Sequence, residues 1–290
     1  MRISHAYGPG KFGLSYELFP PKTPESEGEL FVHLRELMAF EPSFVTCTYG
    51  AGGSTRDKTL DIVCRVKREF ACPVASHLTC VGSTADQLRD YLREADRRNV
   101  DNIVALRGDP PKGQTAFTAV AGGFAYASDL VALIRQEFPQ FGIAVAGYPE
   151  THQEASSPAA DLENLKRKVD LGGEVVITQL FYDNDDFFRF RERYERAGIR
   201  VPLVPGVLPV TNLAQVKRIA SLCGAKLPDR FAAALAAHDA RPEDQFEVGV
   251  EFATAQVQAL LDAAAPGVHF YVLNKSQATC RVLRAVTRPA

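Results

Sequence analysis

The segment Asn102–Pro111, NIVALRGDPP, is an apolar β-type run that delivers Arg107, Gly108 and Asp109 in succession before two prolines end regular structure. A buried strand therefore stops at a charged tip. The last polar residues of the other strand-like runs add Glu17, Thr48, His77, Tyr148 and Gln179, with Asn274 and Lys275 after the final run. Several of these have two readings. Glu17, the one charge in GLSYELF, is either a structurally paired carboxylate or a general acid, because apolar neighbours and poor solvation favour a protonated carboxyl. His77 in ASHLT is either a satisfied core histidine or a catalytic group. Asp109 pairs with Arg107, caps the loop, or acts in a site. Gln179, if buried, needs partners at both ends of its amide, which suits a ligand contact.

A second cluster follows at GYPETHQEASSP, with Tyr148, His152 and Glu154. In the next segment, PAADLENLKRKVDLGG, Asp161, Asn164 and Lys168 stand at i, i+3 and i+7 on one helix face beside an apolar stripe of Leu162, Leu165 and Val169. That face is either solvated and ion-paired or, with Arg167 and Lys168, able to neutralise a phosphate or pyrophosphate.

The elements that must position these residues alternate regularly. Strands are expected at Gly13–Phe19, Ser43–Tyr49, Pro73–Thr79, Asn102–Arg107, Gly142–Tyr148, Glu174–Tyr182, Pro202–Val207 and Val268–Leu273. Helical patterns lie between them over 26–39, up to about Phe70, 84–98, 126–138, from Pro158, 184–197, 211–222 and 246–263, with a closing helix over 276–286. Ser54 and Asp57, after a Gly-rich turn, resemble a helix-capping pair. Residues 112–125 form a small-residue loop, and 224–245 an insertion of short helices and turns. Eight strands separated by helices demand a parallel sheet with right-handed crossovers. An open doubly wound sheet is the alternative; without a GxGxxG turn, closure into a (β/α)8 TIM barrel with a short helical insertion before the last strand is favoured. Its residues at the C-terminal strand ends converge on one mouth. At 290 residues one barrel domain, 1–290, is expected.

Composition narrows the function classes. Hydrophobic residues make up 46% and charged residues 23%, so a large core is available. A net charge of -2 offers no basic stripe for nucleic acid. The six cysteines show no CxxC pair and no Cys/His ligand spacing, so neither a metal site nor a redox dithiol is expected. No run approaches the roughly 18 apolar residues of a membrane span, and no signal sequence is evident, so a reduced, cytoplasmic protein is expected.

The motifs SYELFPPKTPE, FVTCTYGAGGSTRD, SHLTC, NIVALRGDPP, YASDL, GYPETHQEA, DLENLKRKVDLGG, ITQLFYD, VPGVLPVTN and HFYVLNK run nearly end to end. In that order they resemble methylenetetrahydrofolate reductases of the bacterial, single-domain type that contains FAD. The resemblance implies a barrel that binds extended FAD and works in one-carbon metabolism towards methionine. By a ping-pong scheme, NADH or NADPH reduces the flavin, which then reduces 5,10-methylenetetrahydrofolate to 5-methyltetrahydrofolate. It implies Glu17 as the acid that protonates folate N10 and Asp109 as a carboxylate at the flavin and pterin that tunes the flavin potential. Gln179 and Gln215 are implied as folate contacts, and Lys275 as a partner of the folate glutamate tail. For FAD the implied positions are Thr48, His77, Arg107, Gly108, Asp109, Tyr126, Ala127, Tyr148, His152, Asp161, Asn164, Arg167 and Lys168. Ile219 departs from the pattern where some members carry an aromatic residue, and the 112–125 loop is longer than in several relatives. No C-terminal regulatory domain is expected, while a homo-oligomer is. Three other readings stay open: hydride transfer without flavin, a non-catalytic folate- or flavin-binding subunit, and a Schiff-base aldolase using Lys275.

Overall fold

The chain was analysed as a computed structural model that describes residues 1–49, 56–110, 113 and 116–287, with only the backbone at 56 and 57. The Gly-rich turn with Ser54 and Asp57, and part of the 112–125 loop, lie outside the described residues. The elements in order are β1 (Gly13–Leu18), α1 (Pro24–Met38), β2 (Phe44–Cys47), α2 (Arg56–Phe70), β3 (Val74–Thr79), α3 (Ala85–Arg97), β4 (Asn102–Leu106), α4 (Ala127–Glu137), β5 (Gly142–Gly147) and α5 (Pro158–Asp170). They continue as β6 (Val175–Thr178), α6 (Asn184–Arg196), β7 (Leu203–Val204), β8 (Gly206–Val207), α7 (Leu213–Cys223), α8 (Asp229–Ala236), α9 (Pro242–Asp262), β9 (Gly267–Tyr271) and α10 (Gln277–Ala285). Among the described residues the named strands pair in parallel, in the order β7-β6-β5-β4-β3-β2-β1-β9-β8. This is the expected alternating barrel.

The strand expected at Pro202–Val207 is split at Pro205. Its first half, β7, pairs with β6 and its second half, β8, pairs with β9, so one bent strand closes the barrel. Proline has no N–H for a ladder, and the break leaves backbone groups that side chains satisfy. Gly206 N–H donates to Thr178 Oγ1 at 2.9 Å, and the Tyr271 hydroxyl donates to the Thr178 carbonyl at 2.7 Å. A Cβ on Gly206 would lie 2.3 Å from that carbonyl oxygen, so only glycine fits the seam.

Two other boundaries shift. β6 ends at Thr178, short of the expected Tyr182, because Leu180 N–H turns to the Gln179 side chain rather than to a neighbouring strand. α9 begins at Pro242 rather than 246, since a proline at its start and Glu243 and Asp244 in its first turn suit a helix N-terminus. Thr23 and Thr84 open α1 and α3 with reciprocal capping boxes, and Gly224 ends α7 in the left-handed conformation at φ 69°.

Most of the core lies between strands and helices. A second cluster fills the lower barrel: Phe44, Ala75, Val104, Ala144, Val175, Ile177 and Val204 meet Ile3, Ala6 and Tyr7 from the N-terminal turn. Side chains two residues apart on a strand point the same way. The positions following Phe44, Ala75, Ala144 and Ile177 by steps of two include Thr48, His77, Tyr148 and Gln179. An apolar bottom thus places polar side chains at the mouth.

Candidate active site

A cavity of about 990 Å³ opens at the C-terminal ends of the strands. Ten of the residues singled out in the sequence line it: Glu17, Thr48, His77, Arg107, Gly108, Asp109, Tyr148, His152, Gln179 and Gln215. Tyr126, Ala127, Asp161, Asn164, Arg167 and Lys168 do not line it. Lys275 sits in a separate shallow groove with its Nζ 3.9 Å from Glu29 Oε2.

Glu17 is the buried carboxylate of the floor, 7% exposed. Its Oε2 lies 3.4 Å from His77 Nε2 and 3.8 Å from His269 Nε2. His269 Nδ1 meets Ser15 Oγ at 2.8 Å, and the ring packs edge-on against Tyr271 with centroids 5.3 Å apart. β1 and β9 pair Ser15 with His269 and Glu17 with Tyr271, so register brings the carboxylate and second histidine together. Burial pushes His77 below the usual histidine range; Glu17 opposes that and His269 adds to it. His77 is accordingly neutral near pH 7 and able to share a proton with the carboxylate.

The flank is built from loops. Gly108 adopts φ +88°, and a Cβ there would lie 2.7 Å from Val81 Cγ1, so the chain turns sharply beyond β4. The turn leaves Asp109 exposed. The alternative in which Arg107 pairs with Asp109 is not what forms. Arg107 instead binds both oxygens of Glu154, with Nη2 to Oε1 at 2.8 Å, and its guanidinium lies 4.9 Å from the Phe117 ring centre. The hydrogen bonds to Glu154 hold Arg107 above its usual range.

His152 Nδ1 accepts from Glu154 N–H at 3.1 Å, which leaves Nε2 as the protonated nitrogen of the neutral ring. Burial, aided by Arg107, pushes His152 down. The ring meets Tyr148 edge-on at 4.7 Å. Burial, with Asp161 and Asp109 nearby, pushes the Tyr148 phenol up, so it remains a donor. Asp161 accepts from His152 N–H at 3.1 Å, and burial raises it. Half-buried Lys168 donates to the Ala146 carbonyl at 2.6 Å; loss of hydration lowers it to about 8, against the pull of Asp161. Asn164 and Arg167 are exposed on the same helix. Asp161 and Lys168 are therefore engaged with the β5 end, and the fully solvated reading of that face does not hold for them.

His269, Tyr271 and Arg218 also line the cavity and were not singled out in the sequence. The alternation His269, Tyr271, Leu273 along the last strand is the signal that would have found the first two. Ile219 lines the cavity as a half-buried aliphatic side chain. Among the described residues no group of three or more His, Cys, Asp or Glu could hold a metal ion, all six cysteines are free, and no helix is long and apolar enough to cross a membrane.

This arrangement offers a buried proton donor or acceptor at the floor and a cationic, donor-rich flank. The family model described as methylenetetrahydrofolate reductase matches residues 2–287. The 5,10-methylenetetrahydrofolate reductase of Escherichia coli (strain K12) is 40% identical over 277 residues, covering 94% of this chain and 91% of that protein. Methylenetetrahydrofolate reductase (NADH) 1 of Zea mays is 38% identical over 292 residues, 97% of this chain but 49% of that protein, so the chain spans about half the length of its plant relatives. A solved structure from Clostridium thermocellum, described as an uncharacterised protein that binds two copies of 5-methyl-5,6,7,8-tetrahydrofolic acid, shares the fold with a TM-score of 0.61 at 15% identity over 94% of each chain. The chain belongs to the methylenetetrahydrofolate reductase family.

Proposed function

We propose that the protein reduces 5,10-methylenetetrahydrofolate to 5-methyltetrahydrofolate with a reduced nicotinamide cofactor as electron source and FAD as resident cofactor. The observation that carries this reading is Glu17, a buried carboxylate between two histidines on the floor of a large cavity. Opening the methylene bridge requires a proton at folate N10, and Glu17 is the group positioned to supply it. His77 and His269 lie close enough to restore that proton. Gln179, with its amide oxygen held by Leu180 N–H, would turn its amino group to the substrate. Gln215 on the rim of α7 would contact the same molecule.

The residues of the mouth fit FAD. The Thr79 hydroxyl is buried, lines the cavity and has no partner among the described residues, so a polar ring edge would satisfy it. Thr48, His77, Gly108 and Asp109 would face the ring, with Asp109 opposing negative charge there. Arg107, His152, Arg167 and Lys168 would supply charge and donors to the pyrophosphate. Tyr126, 62% exposed at the start of α4, with Ala127, Tyr148, Asp161 and Asn164, would complete the outer contacts. When bound, FAD supplies hydride transfer between nicotinamide and folate. Exposed Lys275 lies outside the cavity, which removes geometric support for an aldolase using it. One domain, cytoplasmic location and self-association remain part of this reading.

Anaerobic stopped-flow of the two half-reactions tests it. NADH is the first nicotinamide to try, since plant relatives carry it in their names. The expected result is flavin reduction by nicotinamide and reoxidation by methylenetetrahydrofolate. A colourless protein that takes up no FAD yet remains active would favour direct transfer, and an inactive one that still binds folate would favour a binding subunit.

A further inference from the structure

Strand register sets four residues in a row across the barrel wall: Tyr271 on β9, Glu17 on β1, Thr46 on β2 and Ala75 on β3. Residues in register on parallel strands face the same way, and neighbouring strands run about 4.8 Å apart. Thr46 lies on β2 between Phe44, whose ring stacks on His269, and Thr48, which lines the cavity, so its side chain points into the barrel just below the mouth. Thr46 is 0% exposed, and its hydroxyl has no hydrogen-bond partner among the described residues. A buried hydroxyl in that state costs stability. Unlike Thr79, Thr46 does not line the cavity, so a bound ring or substrate is not what its hydroxyl serves. Ala75 offers only a methyl group, and the Tyr271 hydroxyl is already bonded to the Thr178 carbonyl. The acceptor left in the row is the Glu17 carboxyl.

We propose that Thr46 is a positioning residue for the proton transfer, donating a hydrogen bond to Glu17 once Glu17 has become a carboxylate. The proposal rests on the folate reaction above. As the methylene bridge opens, the proton passes from Glu17 to folate N10 and the negative charge stays on the buried carboxylate; Thr46 keeps its own hydrogen throughout. His77 and His269 both approach Oε2 of Glu17, which leaves Oε1 for a third donor. A threonine hydroxyl rotates to suit its partner, so the idle donor of the resting protein is free to turn to the new anion. A hydrogen bond to a charged group is stronger than one to its neutral form. An interaction made only as charge develops speeds the chemical step and leaves substrate binding unchanged.

Two measurements on the wild type, Thr46→Val and Thr46→Ser test this, and they should move in opposite directions. In urea unfolding of the FAD-free protein, Thr46→Val should raise the midpoint, because a methyl group replaces a hydroxyl that is unpartnered at rest. In stopped-flow of the FAD-loaded protein, Thr46→Val should slow the limiting rate of the folate half-reaction by about 10–100-fold, the size of one lost hydrogen bond to a charged group. The folate concentration giving half that rate, and the rate of flavin reduction by NADH, should stay at wild-type values. Thr46→Ser, which keeps the hydroxyl, should restore most of the folate rate. A lowered midpoint in Thr46→Val would show that the hydroxyl is bonded in the resting protein and overturn the proposal. So would an unchanged folate rate, equal losses in both half-reactions, or a serine variant as slow as the valine one. A wild type without a folate half-reaction would refute the underlying reaction and the proposal with it, a failure told apart from that of Thr46 because it needs no substitution.

Discussion

Glu17, His77 and His269 stand on β1, β3 and β9, within four consecutive strands of the barrel, whereas Arg107, His152, Glu154 and Lys168 reach the other side of the mouth from loops and a helix. On the floor, the backbone sets the spacing: strand period aims each side chain inward and register fixes its neighbours. On the flank, the side chains hold one another through charge and hydrogen bonds, as Arg107 does with Glu154 and His152 with the Glu154 and Asp161 segments. A substitution on the floor should therefore alter chemistry and leave placement intact. One on the flank should release a partner and alter binding.

The largest expected effect tests the floor. Glu17→Gln should slow the folate half-reaction by about 10²–10⁴-fold, the usual worth of a general acid, while nicotinamide still reduces the flavin. Stopped-flow on each half-reaction reads this directly, and equal loss in both would remove the distinction between floor and flank. At the junction of the two regions, Gly108→Ala should cost about 1–3 kcal/mol in denaturant unfolding, because the left-handed backbone and Val81 both oppose a Cβ. Arg107→Met should weaken FAD retention about tenfold by equilibrium dialysis, with the folate step of FAD-saturated protein little changed. A slowed folate step at saturation would show that the flank takes part in chemistry.

The smallest effect is a pH dependence. Lys168 is lowered from 10.5 to about 8 in the folded chain, so between those values the unfolded chain binds more protons. Stability of the FAD-free protein should then rise with pH across that window. If Lys168 serves FAD as proposed, affinity for FAD should fall as pH passes through about 8, because an ammonium that would neutralise the phosphates is lost. Lys168→Met should flatten both profiles, as followed by thermal unfolding and flavin fluorescence.

The floor was largely legible in the sequence because strand ends and a period of two place Glu17, His77, Tyr148 and Gln179 without knowledge of tertiary contacts. His269 escaped notice because it lies inside an apolar run, and its chemistry appears only once the register with Ser15 and Glu17 is known. The flank was legible in composition but not in pairing. Arg107 and Asp109 are two residues apart, yet the turn at Gly108 separates them and a glutamate 47 residues away takes the arginine. Lys168 shows the same limit: helical spacing gives its face, but only the packed barrel reveals the carbonyl it bonds. The proline in PLVPGV signalled a short strand, and pairing alone could show its two halves serving different neighbours.

The seam at Pro205 also bears on how the molecule opens. Every other strand junction is held by a backbone ladder, while here the Thr178 hydroxyl and the Tyr271 phenol do part of that work. Closing the ring joins segments far apart in the chain, a step with a high entropic cost before contacts repay it. The Gly206 amide is therefore the natural reporter of barrel breathing. Its hydrogen exchange should run ahead of that of β3 and β4 amides, and Tyr271→Phe should widen the gap.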